Sequence, residues 1–178
     1  MRAFWRRHVV VVAILLGACT QIPDGVEPVR PFDLNRYLGK WYEIARLDHS
    51  FERGLDRVTA EYTLRDDGGV KVINRGFSRD GNTWKEAEGK ACFVRSSNEG
   101  YLKVSFFGPF YASYIVFELD TEYRHAFVTG PDKSYLWLLS RSPEVSDQLV
   151  ASFLSRAKAL DFNTDGVIMV NQQENPQE

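Results

Sequence analysis

From Lys40 onward, short apolar or alternating stretches are cut by turn chemistry at Asp66-Asp67-Gly68-Gly69, Asp80-Gly81-Asn82, Asn98-Glu99-Gly100 and Gly130-Pro131-Asp132. The punctuation predicts strands near 40–47, 58–64, 70–77, 83–94, 101–106, 111–119, 125–130 and 135–140, eight arms of one meander. The period then changes. Val145, Leu149, Phe153, Ala157 and Leu160 recur at helical spacing, with Ser142 as the expected N-cap and Pro143 at the first helical position. The apolar stripe of this helix needs a partner, which the outer sides of strands carrying Phe117, Phe127 and Trp137 can supply. Gly166 to Val170 reads as a last short strand.

Side chains alternate across a sheet, and a wrong parity would bury charges, so the charged positions select the inner face. Glu61 leaves Ala60, Tyr62 and Leu64 inside; Lys71 and Arg75 leave Val70, Val72 and Asn74. Glu86, Glu88 and Lys90 turn Cys92 outward and leave Ala87, Gly89, Ala91 and Phe93; Lys103 leaves Leu102, Val104 and Phe106. The sixth strand is apolar on both sides, and Tyr114 with Val116 is assigned inward. This set mixes aromatics with alanine and glycine, so a closed barrel lined by it should enclose a cavity rather than a filled core. Tyr62, Val72, Asn74, Ala91, Phe93, Val104, Phe106, Tyr114 and Val116 are therefore the expected ligand-binding positions. Asn74 serves either a ligand headgroup or an internal water.

Ahead of the meander, Arg2, Arg6 and Arg7 precede an apolar run from Val9 to Leu16 and then Leu16-Gly17-Ala18-Cys19. A basic start, a short apolar core and small residues make an export signal, and the core falls short of the roughly 20 residues a membrane span needs. The final four residues resemble the lipobox of bacterial lipoproteins. That resemblance implies removal of residues 1–18, acylation of Cys19 and, with Thr20 rather than Asp next, delivery to the outer membrane facing the periplasm. Residues 19–31, with Pro23, Gly25, Pro28 and Pro31, read as a lipidated cysteine and an extended tether, so the fold should begin near Phe32; residues 173–178 read as a polar tail.

Loss of the three N-terminal arginines takes the formal charge from −2 to −5, which offers no attraction to nucleic acid and no polybasic membrane patch. With Cys19 acylated, Cys92 is the one remaining thiol, and the domain has no disulfide of its own.

Catalysis requires convergent reactive groups, and the chain shows no Gly-x-Ser-x-Gly elbow, phosphate loop or zinc-spaced cluster; no metal or cofactor is expected. His49 reads as a solvent-facing loop residue after the first strand rather than a haem ligand, and His125 shares the outer face with Phe127. Glu43 has the parity of Trp41, which makes it either an inward hydrogen-bonded structural carboxylate or a general base. Two alternatives to a passive carrier stay open at this stage: an enzyme acting on a lipid or isoprenoid through Cys92 or Glu43, and an envelope scaffold with a filled barrel.

Gly39-Lys40-Trp41-Tyr42 at the start of the first strand, Asp120 with Tyr123 before the seventh, and Arg141 after the eighth resemble the three motifs of the lipocalins. Runs such as Tyr37 to Arg46, Phe51 to Leu55 and Val104 to Phe110 are similar to the bacterial lipoproteins of that family, and the likeness extends over residues 32–172. The resemblance implies an all-β fold, an eight-stranded antiparallel up-and-down barrel with one C-terminal helix. It further implies that Trp41 closes one end with Arg141 packed across it, and that the interior binds fatty acids or lysophospholipids for storage or transport in the envelope. The loop from Asp48 to Arg57, with Phe51 and Leu55, reads either as a lid over the other end or as a surface loop packed on the barrel rim.

Overall fold

A computed structural model describes residues 20–173. The expected signal sequence, Cys19 and all but the first residue of the polar tail lie outside the described residues. The eight expected strands are Gly39–Leu47 (β1), Leu55–Leu64 (β2), Val70–Ser78 (β3), Thr83–Phe93 (β4), Tyr101–Phe107 (β5), Phe110–Leu119 (β6), His125–Thr129 (β7) and Leu136–Ser140 (β8). Each pairs antiparallel with the next, and β1 pairs with both β2 and β8, so the sheet closes on itself. The ninth strand, Val167–Met169 (β9), adds to β1 from outside.

The turns follow from their residues. Gly68 takes φ +78° in the β2–β3 hairpin, and Asp67 accepts the Gly69 amide there. One end of the barrel carries the segments 65–69, 94–100 and 120–124 and is closed by Phe32, a short helix Leu34–Tyr37 (α1) and Trp41. The other end carries the segments 48–54, 79–82, 108–109 and 130–135 and forms the mouth.

The long helix is Asp147–Ala159 (α2), not a helix begun at Pro143. Ser142 instead accepts the Glu144 amide in a local turn, while Ser146 accepts the Leu149 amide and caps α2 a turn later. The predicted stripe packs as expected: Phe153 and Ala157 are fully buried, with Val145, Leu149 and Leu160 beside them. Their partners are the outer faces of the barrel at Phe117, Phe127, Leu136 and Leu138. Trp137 is not among them, because Leu136 and Leu138 take the outer face and turn Trp137 inward with Leu139. Apolar side chains on both faces of β8 left no charge to fix its parity.

Packing also begins earlier than Phe32. Val26 is buried and Ile22 lies against the core beneath α2. The Val29 amide donates to Val116 O, the Gly100 amide to Val29 O, Ser113 Oγ to Gln21 O, and the Tyr101 hydroxyl to Thr20 O. Residues 20–31 are without helix or strand and turn at Asp24-Gly25, where the Val26 amide donates to Pro23 O, and they lie against the barrel wall and do not hang free.

Candidate functional site: the barrel interior

The interior is layered. At the closed end Trp41, Val116, Val128, Leu102 and Leu139 are buried together with Phe32 and Tyr37. Trp41 Nε1 donates to Tyr37 O at 2.8 Å. The Arg141 guanidinium lies 4.0 Å over the Trp41 ring and donates to the carbonyls of Lys40, Arg36, Tyr37 and Leu38 at 2.8–3.0 Å. It therefore ties the end of β8 to α1 and β1 by hydrogen bonds to backbone carbonyls and by a cation over an aromatic face. Gly39, with φ +91°, faces that guanidinium, and Tyr42 points outward under Lys40. Asp120 accepts the amides of Arg124 and His125. Partial burial works against its charge, but those amides outweigh it and hold the carboxyl below its ordinary range. Tyr123, at φ 56°, accepts the Asp33 amide and lies under Arg36.

The inward side chains Ala60, Phe93, Val104, Phe106, Tyr114 and Trp137 keep accessible surface: Ala60 pairs with Trp41 and Phe93 packs on Phe32 at the closed end, while Phe106 and Trp137 lie toward the mouth. An inward residue that still touches solvent faces a space that admits at least water. Gly89 makes room for the Phe106 ring to lie against β4: a Cβ there would lie 2.8 Å from that ring and 2.9 Å from Ser105 O. All eight apolar or tyrosine positions expected to line the cavity, Tyr62, Val72, Ala91, Phe93, Val104, Phe106, Tyr114 and Val116, meet in this one cluster. Leu64, of the same parity, sits at a strand end and is half exposed.

Three polar groups interrupt the apolar wall. Tyr114 shares hydrogen bonds with Tyr37 at 2.7 Å and Tyr62 at 2.8 Å. Two bonds among three hydroxyls leave one O–H proton to spare. Burial raises all three tyrosine pKa values, so they are neutral donors and acceptors. Asn74 is the second group; its Oδ1 is buried on the inner face of β3 with no partner. A ligand or water donor would satisfy it.

The third group was partly missed by pattern. Glu43 faces inward as expected, and Arg46 donates to its Oε1 at 2.6 Å and to Glu52 O at 2.8 Å, while Trp137 Nε1 donates to Glu52 Oε2 at 3.1 Å. Arg46 and Glu52 are almost wholly buried. Strict alternation places Arg46 outside, but β1 shifts register between Glu43 and Ala45, so both residues point in. Burial, then the nearby Glu52 carboxylate, raises the Glu43 pKa from 4.5 to about 8, against the pull of Arg46. Burial raises Glu52 as well. A guanidinium beside two carboxyls that hold one proton between them carries no net charge, as a low-dielectric site demands.

At the mouth, His49 is not solvent-facing. It stacks between Tyr135, 4.2 Å away, and Phe51, 5.3 Å away, and its Nε2 is buried without a partner. Burial lowers its pKa despite a hydrogen bond to the Ser134 carbonyl, which favours the neutral imidazole at pH 7. His125 is half-buried beside Asp120 at the closed end. Cys92 is half-buried on the outer face opposite Ala91, away from the cavity. An open groove of about 840 Å³ lies outside the barrel under residues 170–173, lined by Lys40, Arg57, Arg75 and Trp84. Arg57 and Arg75 already cover the Trp84 ring there, so it is a poor place for an acyl chain.

A closed eight-stranded calyx floored by a tryptophan and an arginine is the lipocalin arrangement. The chain belongs to that family: the model of the lipocalin-like domain matches residues 32–172. It is 57% identical over 174 residues to the outer membrane lipoprotein Blc of Vibrio cholerae, covering 97% of this chain and all of that one. Against the outer membrane lipoprotein Blc of Escherichia coli K12 it is 53% identical, covering 90% of this chain and 92% of that one. Insecticyanin from the tobacco hornworm Manduca sexta shares the fold, with a TM-score of 0.69 at 23% identity over 86% of this chain and 88% of that one. This chain is thus a lipocalin of the bacterial outer membrane. Among the described residues no helix is long and apolar enough to cross a membrane.

Proposed function

We propose that the chain is a passive carrier that takes one acyl tail of a fatty acid or lysophospholipid into the barrel and is held at the membrane by acylated Cys19. The observation that carries this reading is the part of the interior toward the mouth, where Val104, Phe106 and Trp137 point inward yet keep accessible surface. Each methylene removed from water contributes about 0.8 kcal/mol, so a tail of about a dozen carbons offsets several kcal/mol of ordering cost and leaves micromolar affinity. The spare tyrosine proton and Asn74 Oδ1 supply polar anchor points along the wall. Residues 1–18 act as the export signal, and Thr20, packed on the wall, holds the acyl anchor close to the barrel.

Titration of lysophosphatidylcholine and of palmitate into the purified protein tests the reading. Saturable binding that weakens by about 1–3 kcal/mol in Phe106→Ala, and not in Cys92→Ala, is expected. Absence of saturable binding for both ligands overturns the carrier.

A further inference from the structure

Large apolar side chains stand in water at the mouth. Phe107 is 82% exposed and Phe110 71%, on the two sides of the β5–β6 turn at Gly108-Pro109; Phe51 is 61% exposed in the loop between β1 and β2. Those two loops lie four strands apart in a ring of eight, so the aromatic residues flank the mouth on opposite sides. None of the three belongs to either packed core. Exposed aromatics concentrated on one rim mark a contact surface rather than chance exposure.

The course of the N-terminal segment identifies the occupant. Gln21 O is held by Ser113 Oγ, and Ser113 lies three residues from Phe110 along β6, about 10 Å at strand rise. Cys19 precedes Gln21 by two residues, a reach of at most about 7–8 Å. Under the proposed acylation, the chain leads to the anchor through Gln21 and Thr20 on the β5–β6 flank, the flank that carries Phe107 and Phe110 at its mouth end.

We propose that the rim is a second, non-covalent membrane contact: Phe107 and Phe110, with Phe51 across the mouth, dip into the bilayer that holds the anchor, so that the barrel opens onto the lipid surface. The inference rests on the lipidated Cys19 of the proposed function. It gives the mouth a direction, because a single-chain lipid can then pass between bilayer and interior without crossing water, with the transfer cost of its tail largely avoided.

The mature lipidated chain is reconstituted into vesicles of phosphatidylethanolamine and phosphatidylglycerol with brominated acyl chains, in the variants Phe107→Trp and Phe110→Trp. The parent chain, whose own tryptophans set the background, is measured beside them. Chain that floats with the vesicles, with the added emission blue-shifted and quenched by the bromines, is the expected result. Flotation with the added emission still open to a water-borne quencher overturns the membrane contact and leaves the anchor intact. Failure to float overturns the anchor and the contact with it. A blue shift without bromine quenching, together with a dimer in sedimentation, assigns the rim to a second copy of the chain and overturns the proposal.

Discussion

Glu43 shows how one residue in the wall of a hollow barrel couples binding space to stability. Its carboxyl is pinned by Arg46 at 2.6 Å and crowded by Glu52, and it keeps its proton up to about pH 8 in the fold against 4.5 in an open chain. The folded state therefore holds more protons than the unfolded state between those values. The stability this confers is fully present below the lower value and is lost as pH rises through the upper one. Glu43→Gln, which keeps the size and removes the titration, should flatten this loss. Urea unfolding at about pH 5 and about pH 9 reads it, and an unchanged slope would show that the proton sits elsewhere.

At the scale of elements, α2 ends on a pair of hydrogen bonds in which the Phe162 amide reaches Ala157 O and the Asp161 amide reaches Lys158 O. That pairing requires a left-handed residue between them, and Asp161 supplies it at φ 60° with a side chain that is exposed. Phe162 then stacks on Phe117, so the helix end is fastened to the barrel wall. Asp161→Gly keeps both bonds and relieves the conformation, and should raise stability by about 0.5–1 kcal/mol, read as a shift in thermal midpoint with ligand binding unchanged. β1 is the other element whose local detail matters. It leaves β2 after Tyr42, and the Gln172 side chain fills the gap by donating to Glu43 O at 2.7 Å and Val58 O at 3.0 Å. The register shift that turns Arg46 inward lies in the stretch paired with β8.

For the molecule as a whole, the N-terminal segment and the barrel form one body. Residues 20–31 are bonded to β5, β6 and the 94–100 turn, and Arg30 reaches the buried Glu99 at 2.7 Å. Under the proposed acylation, Thr20 and Gln21, the residues after the anchor, are tied to the barrel wall. Cys19→Ala should leave lysophospholipid affinity within a factor of about two, because no cavity residue changes, while moving the protein from the detergent phase to the aqueous phase in cloud-point partition. Retention in the detergent phase would mean that something other than the acyl chains holds it.

Eight strands, their order and most of the inner face were legible in the sequence, because charges such as Glu61, Lys71, Glu88 and Lys103 can take only the solvent side of a sheet. The lipocalin motif around Trp41 and Arg141 was legible too, since it consists of fixed residue types at strand ends. The inward turn of Arg46 and Trp137 was not. The first depends on a register shift in β1 and the second on which apolar face of β8 meets α2, and neither leaves a mark in the alternation. The docking of residues 20–31 was likewise hidden, because its hydrogen bonds use backbone groups that every residue carries. Local sequence sets parity where polarity differs between faces and the ladder is regular; where both faces are apolar, as in β8, or the register shifts, as in β1, only the three-dimensional structure decides.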